Sequence, residues 1–157
     1  MGDLYLSLLG PPEVRHGDQV LLFSTRKELA LLIQRDTLGL DLTSNVELDL
    51  HPLHEAWTLA RASTRTTRTM PEDARRGLLA ELQRATSLAR GTFLEGFSLR
   101  DAPAFDDWVR FQRDYWQRHT SEVFDRLSHL QFEAGELEAA IETVSRWLVL
   151  DPLHEDA

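Results

Sequence analysis

The sequence predicts a mainly α-helical fold of helical hairpins, with a small antiparallel β element at its N-terminus. Three observations carry this. Residues 104–134 place Phe105, Trp108, Tyr115, Val123, Leu127, Leu130 and Ala134 mostly three or four apart, the stripe of one long amphipathic helix. Gly135 then offers a turn at low steric cost, and Leu137, Ala140, Ile141, Val144 and Leu148 resume the same spacing on one face of a second helix. Residues 4–23, by contrast, are short apolar runs broken by Gly10-Pro11-Pro12 and His16-Gly17-Asp18-Gln19, the punctuation of strands.

Composition narrows the function classes. The chain has 157 residues, 42% of them hydrophobic, enough for a sizeable core in one domain or one and a half. No apolar run approaches the length that spans a bilayer, and no basic stretch precedes the first apolar residues, so neither a membrane segment nor a signal peptide is expected. There are no cysteines, which excludes disulfides and thiolate metal sites and suits a cytoplasmic setting. The net charge is −9 and unevenly spread. Residues 101–157 hold five Arg against thirteen Asp and Glu and would repel a phosphate backbone. Only residues 51–100 are net basic, with Arg61, Arg65, Arg68, Arg75 and Arg76 around one polar loop that reads as solvated. Sixteen of the seventeen basic residues are Arg, a bias that the sequence ties to no mechanism.

Taken in order, residues 4–9 read as a strand, Glu13-Val14-Arg15 as its resumption and Val20–Phe23 as the returning strand of a hairpin with Gly17 in the turn. Ser24 or Thr25 caps a helix with Glu28 near its start. That helix breaks off near Leu32-Ile33, where residues 33–42 alternate and contain Gly39, the pattern of a hairpin. Val46–Leu50 is a further short strand. Leu53, Ala56, Trp57 and Ala60 mark the next helix. Residues 63–70 are a loop, and Pro71-Glu72-Asp73 opens a helix with the stripe Ala74, Leu78, Leu82, Ala85 and Ala89. The connector 91–103 carries Phe93, Leu94 and Phe97, aromatic and apolar groups expected to pack on the helices. Asp151-Pro152 ends the last complete helix and suits the cap and first position of another. Pro-Leu-His-Glu occurs at 52–55 and again at 152–155, a reused helix start too short to indicate duplication.

Chemistry-bearing constellations are few. His51 and His54, with Glu55, lack a third ligand and the spacing of a zinc protease, so no metal site is expected. His119 falls on the apolar stripe and reads as a core histidine. There is no GxxxxGK, no GxGxxG and no nucleophile elbow, so no enzyme, no catalytic residue and no cofactor are expected. The four tryptophans are spaced for packing, without the basic interleaving of a base-stacking surface.

Gly135 at the turn, Ala139 and Ala140 early in the second helix and Pro152 at its end give residues 104–157 the look of a tetratricopeptide-type unit. An ordinary helical hairpin in an all-α core fits the same periodicity equally well. Over a longer span, residues 51–157 resemble the bacterial transcriptional activator domain of AfsR/SARP-type regulators. The carrying residues are Phe93-Leu94-x-Gly96-Phe97, Asp101-x-Pro103-x-Phe105-x-x-Trp108, Gly135-x-x-x-Ala139-Ala140 and Asp151-Pro152-Leu153-x-Glu155-x-Ala157.

The resemblance implies a tetratricopeptide-like helical domain over 51–157, in which Trp108, Gly135, Ala140 and Pro152 are structural. It also implies a winged-helix (OmpR-like) DNA-binding domain before it. Residues 1–32 resemble that domain's opening, through Leu8-Leu9-Gly10-x-x-Glu13-Val14 and Thr25-Arg26-Lys27. Residues 33–50 resemble its closing wing, through Arg35-Asp36-Thr37-Leu38-Gly39-Leu40. The helices between have no counterpart, so 1–50 is a partial domain lacking its recognition helix. Without that helix no base reading is expected, and Arg35 is left at most a phosphate contact. The implied function is that of the N-terminal part of a bacterial transcriptional regulator. DNA is then a partner of the parent protein, and the helical domain mediates self-association, as a homodimer, or contacts with the transcription machinery or other domains of the regulator. The competing expectation is a free-standing tetratricopeptide-like adaptor that binds a peptide. A groove of polar and aromatic side chains favours the adaptor, and a flat, dimer-forming apolar face favours the regulator.

Overall fold

The computed structural model describes residues 4–23, 25–30, 46–63 and 70–152. Within them the chain is mainly helical, with a small four-stranded mixed sheet near its N-terminus. Strands β1 (Leu4–Ser7), β2 (Glu13–His16) and β3 (Gln19–Leu21) form an antiparallel meander, turned at Gly17-Asp18 with Gly17 at φ +58°. Residues 26–30 are helical. Their start is a reciprocal capping box: the Glu28 amide donates to Thr25 Oγ1 at 3.3 Å, and the Thr25 amide donates to Glu28 Oε2 at 3.3 Å. Strand β4 (Val46–Leu48) then pairs with β1, giving the order β3-β2-β1-β4.

The sheet corrects the expected antiparallel element. β4 runs parallel to β1, with Leu4 opposite Val46 and Leu6 opposite Leu48. A two-residue turn forces antiparallel pairing, whereas the long crossover from β3 lets the returning strand run in the same sense as β1. The hairpin expected over 33–42 lies outside the described residues.

Four helices follow: α1 (Leu50–Ser63), α2 (Glu72–Leu88), α3 (Pro103–Glu133) and α4 (Leu137–Leu150). Pro103 stands in the first turn of α3, where its missing amide costs no hydrogen bond. No Gly or Pro interrupts the next thirty residues, so the helix runs about 46 Å at 1.5 Å per residue. It packs against α1, α2 and α4 and is the central element. Its end is a complete Schellman motif. The Glu136 amide donates to Gln131 O at 2.9 Å, the Gly135 amide to Phe132 O at 3.0 Å, and Gly135 takes the left-handed φ of +79° that this closure needs.

One hydrophobic cluster joins sheet and helices. Leu6, Leu8, Leu9 and Val14 belong to the same buried set as Leu53, Leu82, Phe93, Val109 and Leu127. The connector between α2 and α3 makes the join. Leu9 bridges Phe93 antiparallel, the Leu94 amide donates to Leu8 O at 2.8 Å, and the Gly10 amide donates to Thr92 O at 3.0 Å. Phe93, Leu94 and Phe97 are buried, as the connector's composition suggests. Leu94 holds φ +50° and Asp101 φ +61°, conformations unfavourable to side chains with a Cβ. Arg113 of α3 fixes the connector by donating to Phe93 O at 2.8 Å and Leu94 O at 2.6 Å.

Candidate interaction surface

Helix α4 has two apolar faces. Ala140 and Trp147, with Thr143, turn inward against α3. Trp147 stacks on Phe124 with ring centroids 6.4 Å apart and donates from Nε1 to Ser121 Oγ at 3.3 Å. Thr143 donates to Gln131 Oε1 at 2.8 Å, a polar pair sealed between the two helices. The other face carries Leu137, Ile141 and Leu148, which are 53%, 66% and 40% exposed. The stripe predicted for this helix therefore exists but only Ala140 of it is buried. The residue that anchors α4 to the core is Trp147, which lies off that stripe.

The outward face continues onto α3 through Phe132, which is 66% exposed. Phe132, Leu137, Ala140, Ile141, Val144 and Trp147, with Asp125, Ser128, His129 and Ser145, line a groove of about 580 Å³ between α3 and α4. Few soluble surfaces leave so many large apolar groups contiguous and open, and such patches mark contact sites. The hairpin around it is net acidic, with six Asp and Glu against two Arg over residues 121–150. Asp125 lines it, and Glu133, Glu138 and Glu142 stand one residue round their helices from Phe132, Leu137 and Ile141, with Glu136 in the turn. Arg126 and Arg146, the arginines of these helices, donate their hydrogen bonds to other elements, although Arg126 still feels the charge of Glu133 and Asp125. Arg126 donates to Ser63 Oγ and Ser63 O at 3.1 Å each, closing the end of α1. Arg146 donates to Thr86 O at 3.0 Å and covers the Phe124 ring.

A second cluster lies where α1 meets α3. The His119 ring sits 3.9 Å from that of Trp57, 4.1 Å from Tyr115 and 6.0 Å from His54. His119 Nδ1 donates to Tyr115 O at 2.7 Å, while Nε2 is buried without a partner among the described residues. Burial holds the His119 pKa below the ordinary 6.5 of an imidazole, more than the Tyr115 carbonyl raises it. Trp57 donates to Glu122 at 2.8 Å, and Arg61 lies over its ring. The packed rings make this a joint between helices. His51 and His54 are exposed, and among the described residues no three His, Cys, Asp or Glu come together as a metal cage requires.

The remaining residues singled out in the sequence are scattered. Trp108 is half-buried, edge-on to Phe93 at 6.0 Å and tilted on Phe105 at 5.6 Å. Gly135 and Ala140 sit at the α3–α4 turn and interface. Pro152 is exposed in a turn after α4, and the further helix it would open lies outside the described residues, as does Arg35.

Asp49 was not singled out, yet it holds the sheet to the helices. Its Oδ2 accepts from the amides of Leu8 and Leu9 at 2.8 Å each, just before α1 begins. Burial pushes its pKa up against the pull of those amides and of Arg90. An Asp ahead of an apolar helix reads only as a local cap. Its long-range partners cannot be deduced from spacing.

No family model matches the chain, and no curated protein or solved structure is similar to it. Among the described residues no helix is long and apolar enough to cross a membrane.

Proposed function

We propose that this chain is the N-terminal part of a bacterial transcriptional regulator and that its helical region works by protein contact in transcription activation. The observation that carries the reading is the open apolar groove on the α3–α4 hairpin. Exposed apolar groups in such number support protein contact through this face. The N-terminal part is consistent with the same reading. A three-stranded meander, a capped helix start and a strand returning beside β1 follow the order in which a winged-helix domain opens and closes. On this reading the parent protein binds DNA, this chain does not read bases, and its setting is cytoplasmic.

The test tethers the chain to a promoter. Fused to an unrelated DNA-binding domain whose site lies upstream of a weak bacterial promoter, it should raise reporter output several-fold. Output equal to that of the DNA-binding domain alone would contradict the proposal.

A further inference from the structure

We infer that the α3–α4 groove is a docking site for a cationic amphipathic helix. The inference rests on the proposed role of the helical region as a contact module and adds the chemistry of the partner. Three properties of the groove select this occupant. The apolar groups of its α4 wall recur at 137, 140, 141 and 144, about two helical turns, and the opposite wall is the antiparallel α3. The ridges of a third helix fit between two such walls as α1 and α2 fit against α3. The hairpin is net acidic, and Asp125 lines the groove itself. Arg75, at the start of α2, is near enough to Glu133 and Glu136 to feel their charge, but it already pairs with Glu72 at 2.7 Å. His129 is held by Asp125 at 3.2 Å.

A helix with an apolar stripe and Lys or Arg on both flanks covers the floor and answers the charge. A second copy of this chain covers the floor but does not answer the charge. A two-fold contact through this face sets the same acids against each other, in a chain that already carries −9.

The probes are two synthetic helical peptides of about 18 residues, five turns. They share one leucine stripe and differ only in flanks of Lys or of Glu. Binding is read by fluorescence anisotropy at neutral pH and physiological ionic strength. The Lys peptide should bind at least about tenfold tighter than the Glu peptide. Ile141→Glu should weaken the Lys peptide about tenfold, although it adds negative charge. Ile141 is exposed, so the variant should keep the wild-type thermal midpoint.

Unchanged binding to Ile141→Glu would show attraction by charge alone and overturn the site. So would failure of both peptides, or a preference for the Glu peptide. A concentration-dependent dimer in sedimentation, abolished by Ile141→Glu, would assign the groove to a second copy and overturn the inference as well. Reporter activation without peptide docking would remove this partner and leave the regulator. Docking without activation would do the reverse.

Discussion

Two tryptophans separate what periodicity shows from what packing decides. Trp108 falls on the predicted stripe of α3 and is half-buried. Trp147 falls off the predicted stripe of α4 and is only 2% exposed. Trp147→Ala should therefore cost about 3–5 kcal/mol in chemical denaturation, and Trp108→Ala less, about 2–3 kcal/mol. Equal costs would mean that burial does not rank the two sites. Asp49→Ala leaves two buried amides without an acceptor and should cost about 2–4 kcal/mol by the same measurement. His119 gives a pH dependence of known sign. Its folded pKa lies below the unfolded 6.5, so the unfolded chain binds the proton more tightly. Its contribution to stability is complete above pH 6.5 and is lost as pH falls through the folded value. His119→Phe should flatten the stability curve just below pH 6.5. Subtracting the two curves separates His119 from Asp49, whose raised pKa gives a slope of opposite sign. His119 was legible as a core histidine from its place on the stripe. Asp49 was not, because its amide partners lie 40 and 41 residues away.

At the scale of elements, the sequence marks where helices start and stop more surely than which way they face. The Thr25–Glu28 box and the Gly135 turn are local devices, and each is formed as its residues require. Gly135→Val forces a β-branched residue to φ +79° and should destabilise the α3–α4 hairpin by about 1–3 kcal/mol in thermal unfolding. A tolerated substitution would mean that the turn relaxes into another closure. The facing of α4 is a different matter. Leu137, Ala140, Ile141, Val144 and Leu148 make the predicted stripe, yet the α3 contact takes only Ala140 from it and adds Thr143 and Trp147. A small residue, a hydrogen-bonded threonine and one large ring let the two helices approach closely. The stronger stripe is left outward. β4 is similar: alternation marks it as a strand, but its parallel sense depends on a crossover that alternation does not encode.

At the scale of the molecule, the division suggested by a change of pattern near residue 50 is bridged by a shared core. Sheet residues Leu6, Leu8 and Val14 pack in one cluster with helix residues Leu53, Leu82 and Val109. Arginines that the composition presents as a bias are spent on carbonyls between elements. Arg113 serves the connector, Arg126 the end of α1 and Arg146 the end of α2. The α3–α4 hairpin still keeps six Asp and Glu against two Arg over residues 121–150. On the proposed reading, stability and function divide the two faces of α4, the inward one closing the fold and the outward one meeting a partner.

The central claim is that this outward face is where the protein works. The most direct measurement compares wild type and Ile141→Glu in the promoter-tethered reporter, with the thermal midpoint of each purified protein recorded alongside. The account predicts that Ile141→Glu returns the reporter to the level of the DNA-binding domain alone while the midpoint stays unchanged. Full activation by a folded Ile141→Glu protein would contradict it.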